Sequence, residues 1–119
     1  MITVILGTSP YPFCRAIEWL STLLNNGKIE EPIFVQSGVT DVSTISENSL
    51  VQTDSIISSD RLIDIVRDSR FVISHAGQGS TRMLVSQGAS FVLIPRLAQF
   101  KEHIDDHQLS FAKATHQLG

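Results

Sequence analysis

The residues best suited to chemistry by type and spacing lie in the segment Phe71-Val-Ile-Ser-His75-Ala-Gly77-Gln-Gly79-Ser80. The apolar run predicts a buried strand, and the two glycines allow a turn in which no Cβ blocks the approach of a ligand. A helix is predicted from Ser80, and the first amides of a helix lack intrahelical partners and lie at the positive end of its dipole. The segment therefore predicts a phosphate-binding turn, to which His75 and Ser80 can add hydrogen bonds. The alternative is a glycine turn with a purely structural purpose.

A second turn of small residues follows the first apolar run of the chain. Residues 2–6 are Ile-Thr-Val-Ile-Leu, which predicts a strand, and Gly7-Thr8-Ser9-Pro10 follows directly. This turn is a second place where the backbone can approach a ligand.

The segment His103-Ile-Asp-Asp-His107-Gln108 gathers polar side chains before the last predicted helix. Two histidines four residues apart can bind a metal if one helix carries both, but the glutamate of the H-E-x-x-H motif is missing. The acids can instead cap helix amides or accept hydrogen bonds from sugar hydroxyls, and Gln108 offers both a donor and an acceptor. These three interpretations stay open at this point.

Two other kinds of site have weaker support. A dinucleotide fingerprint would need a third glycine where Arg82 stands and an acid after the next strand, where Arg96 stands. Arg96 could serve an NADP 2′-phosphate, which keeps that alternative open. Cys14 has no histidine near it in sequence, and Ser80 lacks a G-x-S-x-G elbow, so neither is a good nucleophile candidate.

The elements that must position these residues alternate along the chain as β-α-β-loop-β-α-β-α-β-α. Strands are predicted within residues 2–6, 32–37, 50–57, 71–74 and 91–94, and helices are predicted to begin near Phe13, Ser59, Ser80 and Ile104 or Asp105. The run 91–94 is continuously apolar, which predicts a strand covered on both faces, and residues 96–103 predict a polar loop. The alternation predicts an α/β fold, a Rossmann-like parallel sheet with helices on both faces. The loops after residues 6, 74 and 95 would then share the edge at which such sheets bind ligands.

Composition limits the classes of protein that need to be considered. With 119 residues and 42% hydrophobic positions the chain predicts one domain over residues 1–119. A net charge of −3 argues against a nucleic-acid surface. The one cysteine cannot form an internal disulfide, and no secretory signal or apolar run long enough to span a membrane is visible, which favours a cytoplasmic protein. Residues 61–119 carry seven of the nine basic side chains, as the steering of an anionic ligand would require.

Three segments together resemble the C-terminal domain of family 28 glycosyltransferases. They are Gly7-Thr8-Ser9-Pro-Tyr-Pro-Phe13, His75-Ala-Gly-Gln-Gly-Ser80 and Gln99-Phe-Lys-Glu-His-Ile-Asp-Asp-His-Gln108. The resemblance covers essentially the whole chain. It extends to the small catalytic subunit of split bacterial polysaccharide glycosyltransferases and to the cytosolic subunit of the eukaryotic dolichol-linked N-acetylglucosamine transferase.

The resemblance implies the C-terminal half of a GT-B enzyme that binds a UDP-sugar and needs no metal or other cofactor. A membrane-associated partner subunit would supply the acceptor half and keep the chain at the inner face of the plasma membrane, and the acceptor would be a lipid-linked saccharide. The implied catalytic residues are His75, Asp106 and Gln108. The implied donor-binding residues, which include those three, are Gly7, Thr8, His75, Gly77, Gln78, Gly79, Ser80, Asp106 and Gln108.

Two departures from the family pattern motivate an alternative. Relatives commonly carry a glutamate for the ribose where this chain has Met83, and such domains usually continue with a further strand and helix. We therefore expect that the chain is truncated or that a partner completes the sheet. The alternative is a non-catalytic nucleotide-sugar-binding module that stabilises or regulates a partner transferase.

Overall fold

The computed structural model describes the backbone of residues 1–118 and the side chains of residues 1–114. Five parallel strands form one sheet, and four α-helices and one 3-10 turn at Ala98–Phe100 connect or follow them. The strands are β1 (Ile2–Ile5), β2 (Ile33–Gln36), β3 (Val51–Asp54), β4 (Phe71–His75) and β5 (Phe91–Ile94). The helices are α1 (Cys14–Asn25), α2 (Ser59–Arg67), α3 (Gln78–Ser86) and α4 (His107–Leu118). The strand order β3-β2-β1-β4-β5 confirms the predicted Rossmann-like α/β fold.

Alternation along the central strands divides the core between the two faces of the sheet. Val4 of β1 packs with Leu20 of α1 in the larger core cluster. The adjacent Ile5 packs in a second cluster with Val66 of α2 and Leu84 of α3. Successive side chains of a strand point to opposite faces, so the helices cover both faces of the sheet, as predicted.

The strand β5 differs from the prediction that both of its faces are covered. It pairs only with β4 and lies at an edge of the sheet, and Val92 is exposed. An apolar run is typical of a buried strand, but its burial depends on neighbours that a local pattern cannot specify.

Two helices begin at residues other than those predicted. α3 begins at Gln78, two residues before Ser80, and its N-cap is Gly77. α4 begins at His107 and not at Ile104 or Asp105, since a turn held by the Asp105 carboxylate and the His107 amide precedes it. In the described part of the chain, no helix is long and apolar enough to cross a membrane.

Candidate functional site

A pocket of about 340 Å³ opens at the carboxyl edge of the sheet. Three loops contribute to its lining, those after β1, β3 and β4. The lining residues in these loops, and in the strand end and helix starts beside them, are Gly7, Thr8, Ile56, Ile57, Ser59, His75, Gly77, Gly79 and Ser80. The predicted glycine turns after β1 and β4 therefore do share one site. The contribution of the β3 loop was not predicted, because a strand was expected within residues 50–57, whereas β3 ends at Asp54 and leaves Ile56 and Ile57 in a loop.

The start of α3 faces this pocket without a side-chain cap. The first backbone bond of the helix runs from the Thr81 amide to the Gly77 carbonyl at 3.0 Å. The amides of Gln78, Gly79 and Ser80 precede that bond, and the described side chains provide no cap for them. Neither is there an acidic residue in the first turn. Such an end offers amide donors and a positive dipole end to an anion.

The imidazole of His75 is clamped between two glycines. A Cβ built on Gly7 or on Gly77 would lie within 2.5 Å of the His75 ring. A Cβ on Gly79 would meet nothing within 4 Å. The sequence predicted that Gly77 keeps the turn clear for a ligand, but the structure shows that its missing side chain makes room for His75. Gly7 in addition has φ +80°, which favours glycine.

The two ring nitrogens of His75 face different surroundings. Nε2 lies 3.3 Å from Ser80 Oγ on the pocket side, and Nδ1 lies 3.1 Å from the amide nitrogen of Gln108. Burial, together with the positive charge of Arg96 and the nearby His103, lowers the pKa of His75 from 6.5 to about 4. His75 is therefore neutral at pH 7.

Gln108 and Asp106, both expected at the donor sugar, make contacts within the protein. Gln108 is buried, and its Oε1 accepts a hydrogen bond from the Arg96 amide at 3.0 Å. Asp106 Oδ1 accepts from the Ala98 amide at 3.0 Å. The structure thus brings Gln108 next to His75, whereas Asp106 holds the 3-10 turn after β5.

Arg96 is the centre of a buried polar cluster that joins the loops after β1 and β5. Its guanidinium donates to the carbonyls of Leu6 at 2.5 Å, Tyr11 at 2.6 Å and Glu102 at 3.0 Å. Because these carbonyls occupy it and only 1% of the residue is exposed, it is not available to an NADP 2′-phosphate. Arg96 lies in the predicted polar loop over 96–103, but its burial was not predicted.

The Glu102 carboxylate extends this cluster to α1. It is paired with Arg15 at 2.9 Å and accepts from the Leu97 amide at 3.1 Å. A salt bridge between residues 87 positions apart fixes the β5 loop against α1. Sequence reasoning missed it, because nothing local distinguishes these charges from solvated ones.

The two histidines of the H-x-x-x-H segment do not lie on one helix. Only His107 belongs to α4, and each ring has Nδ1 near the Asp105 carboxylate, at 3.2 Å for His103 and 3.4 Å for His107. Among the described side chains, no group of three or more His, Cys, Asp or Glu residues is arranged to hold a metal ion.

Gln36 is a further pocket residue that the sequence did not single out. Its side chain accepts from the Gly7 amide at 2.8 Å and donates to the carbonyls of Gly7 at 2.9 Å and Ser55 at 2.8 Å. The Gly7 amide is thus already engaged, and Gln36 fixes the β1 and β3 loops to each other. A polar residue at the carboxyl end of an apolar strand was the available signal.

Met83 is partly buried and is not among the residues that line the pocket. It lies on α3 against the second core cluster, which includes Val72 and Leu84. A thioether accepts hydrogen bonds only weakly. This position therefore offers no strong acceptor to a ribose.

Fold and site together define a Rossmann-like α/β domain in which an uncapped helix start and a buried histidine meet at a pocket. The family model of the glycosyltransferase family 28 C-terminal domain matches residues 1–119, so the chain belongs to this family. No match was found among curated proteins. Membership gives the chain a glycosyltransferase-type role in binding a nucleotide-sugar donor.

Proposed function

We propose that this chain is the donor-binding, catalytic subunit of an inverting, UDP-sugar-dependent hexosyltransferase. The acceptor would be a lipid-linked saccharide in polysaccharide biosynthesis, and the enzyme would be active in complex with a membrane-bound partner. The observation that carries the proposal is the open start of α3 beside His75, at a pocket in a chain of this family.

The pocket suits a nucleoside diphosphate in both its polar and its apolar parts. The amides of Gln78, Gly79 and Ser80 and the His75 ring offer donors for the diphosphate. Ile56 and Ile57 line the same pocket on the β3 side and offer apolar surface to a base.

In the proposed reaction an acceptor hydroxyl attacks the anomeric carbon of the donor sugar. The new carbon–oxygen bond forms as the bond from the anomeric carbon to the diphosphate oxygen breaks, with inversion, and UDP leaves with the electron pair. The α3 amides and His75 would stabilise the negative charge that grows on the diphosphate, so no metal is required for that purpose. A general base must take the acceptor proton, and we expect it from the partner.

The partner is proposed because a single Rossmann-like domain forms one wall of a GT-B cleft. The acceptor wall would come from the membrane-associated subunit, which would hold this chain at the cytoplasmic face of the membrane. Co-expression of the chain and its partner in membranes, followed by turnover of a panel of UDP-sugars, would identify the donor.

Binding of UDP to the 15N-labelled chain tests the site. We expect UDP to shift the amide signals of Gln78, Gly79 and Ser80, and to leave the amides at the C-terminal end of α1, such as those of Asn25 and Asn26, unchanged. ADP serves as the matched control nucleotide. It should bind more weakly than UDP if the pocket distinguishes uracil from adenine. If saturating UDP and UDP-sugars leave the α3 amides unmoved, the site assignment is wrong.

A second candidate function is a non-catalytic module that stabilises or regulates a partner transferase. The packing of Met83 against the core favours it, because this residue offers no strong acceptor at the position where the family resemblance implies a ribose contact. Reconstituting the pair with His75→Ala or Gln108→Ala separates the two functions. Unchanged turnover would favour the non-catalytic module, and a large loss would favour the catalytic subunit.

A further inference from the structure

The side-chain amide of Gln108 can be oriented in only one way. Its Oε1 lies 3.0 Å from the backbone nitrogen of Arg96, and a backbone N–H can only donate. The oxygen must therefore face Arg96, which leaves the NH₂ group facing His75. Gln108 is buried, so no bulk water competes for either contact.

The orientation of Gln108 determines which nitrogen of His75 carries the proton. Nδ1 lies 3.1 Å from Gln108 Nε2, which has hydrogens to donate and no lone pair to accept with. Nδ1 must then be the acceptor, and the single proton of the neutral ring is on Nε2. Nε2 is the nitrogen on the pocket side, 3.3 Å from Ser80 Oγ.

The backbone of Arg96 is a firm anchor for this chain of hydrogen bonds. The Arg96 guanidinium reaches the carbonyls of Leu6 and Glu102 and lies over the Phe13 ring, 4.8 Å from its centroid. The loop that carries the Arg96 amide is thereby tied to the β1 loop. On the other side, Gly7 and Gly77 leave space for the imidazole in this one position.

We propose that Gln108 is a positioning residue that holds His75 as a neutral imidazole with its proton on Nε2, so that the ring presents a fixed N–H donor to the pocket. The identity of the acceptor, the diphosphate at the start of α3, rests on the proposed function. Gln108 acts through His75, and its oxygen and one amide hydrogen are used for this purpose.

Protonation of Nδ1 would oppose this arrangement. A hydrogen on Nδ1 would point at the Gln108 NH₂ group, and the charged ring would lie near Arg96 and His103 in a buried place. Both effects keep the ring neutral and available as a donor from Nε2 through the physiological pH range.

The test is 15N NMR of the histidine side chains in the chain without nucleotide. We expect His75 in the wild-type protein at pH 7 to show the chemical shifts of the Nε2–H tautomer alone. A mixture of tautomers, or the Nδ1–H form, would overturn the proposal without the need for any variant.

Two substitutions extend the test. In Gln108→Glu one carboxylate oxygen can still accept from Arg96, and the other becomes an acceptor for Nδ1–H, so we expect the proton affinity of His75 to rise at least tenfold. Gln108→Met keeps the length but cannot donate, and we expect both tautomers to appear. An unchanged His75 spectrum in both variants would mean that Gln108 only fills space, and would overturn the proposal.

Adding UDP to the same samples separates this proposal from the proposed function. A locked Nε2–H tautomer with no response to UDP would support the role of Gln108 and overturn the diphosphate site. A response to UDP with mixed tautomers in the wild-type protein would do the reverse. With both proposals correct, UDP shifts His75 Nε2, and Gln108→Met weakens UDP binding several-fold.

Discussion

The helices α2 and α3 each begin where a parallel strand ends, but their first turns are completed differently. In α2 the Ser58 hydroxyl accepts from the Arg61 amide at 3.2 Å, and Asp60 adds a negative charge to the first turn. In α3 the N-cap is Gly77, and the first turn has neither a side-chain cap nor an acid. Both helices have nine residues, so length does not explain the difference.

The comparison shows that a side chain of the preceding residue caps the first amides of α2, whereas the first amides of α3 have no side-chain cap. A capping side chain stabilises a helix by about 1 kcal/mol, and α3 lacks this stabilisation. Both helix starts reach the pocket, α2 through Ser59 and α3 through Gly79 and Ser80, but only the open start of α3 lies beside the buried His75. The amides left free at α3 agree with the proposed role of this helix start in binding an anion.

The largest expected effect is a loss of folding stability at low pH, caused by the buried His75 beside the open start of α3. The pKa of His75 falls from 6.5 to about 4 on folding, so between these values only the unfolded chain binds the proton. Stability is then unaffected at pH 7 and falls as the pH decreases from 6.5 to 4, by about 3 kcal/mol in total. Urea unfolding at pH 7 and pH 4 should show this loss in the wild-type chain and a smaller loss in His75→Asn. A direct NMR titration of His75 is the control, and a midpoint near 6.5 would contradict the prediction.

The second prediction compares the effects on stability of alanine at the two glycines of the α3 turn. Gly77→Ala places a methyl group against the buried His75 ring, and we expect a loss of about 1 to 3 kcal/mol from overpacking. Gly79→Ala is the matched control, since its methyl group meets nothing within 4 Å and it lies inside the helix, where alanine is favoured by about 0.5 to 1 kcal/mol. Denaturant unfolding of both variants measures the difference. Equal effects would show that His75 is not clamped as described.

Removing the cap of α2 is expected to lower stability alone. Ser58→Ala leaves the Arg61 amide without its acceptor and should cost about 1 kcal/mol. Because Ser58 lies outside the pocket lining, the affinity for UDP should stay the same. Thermal unfolding and calorimetric titration with UDP measure the two quantities. A large change in affinity would mean that α2 takes part in anion binding.

The smallest expected change in stability comes from giving α3 the acid that α2 has. Gln78→Glu should stabilise the helix by about 0.3 to 1 kcal/mol through its dipole, while repelling a diphosphate and weakening UDP binding several-fold. Gln78→Lys is the matched control and should change both quantities in the opposite direction. Both effects on affinity should shrink as salt is raised, because the residue is exposed. If the affinity for UDP is the same in both variants and in the wild-type chain, the anion binds elsewhere.

Local patterns predicted most of the fold and part of the site. The apolar runs and glycine stops marked the five strands and the helices, because periodicity and turn chemistry are short-range properties. They also predicted that Gly7, Thr8 and His75 lie at one edge of the sheet, since the carboxyl ends of parallel strands lie at the same edge. The start of α4 was misplaced by two or three residues, because the Asp105 turn before it is a side-chain contact with no periodic signal.

The sequence alone determined the fold class of this protein, its family and the glycine turn after β4. Each of these depends on patterns within short segments of the chain. Only the tertiary structure decided what surrounds His75. The clamp by Gly7 and Gly77, the hydrogen bond from Gln108 and the buried Arg96 that anchors it join residues far apart in the chain. Such contacts depend on how the loops pack, and a buried polar group takes whichever partner the packed chain brings to it.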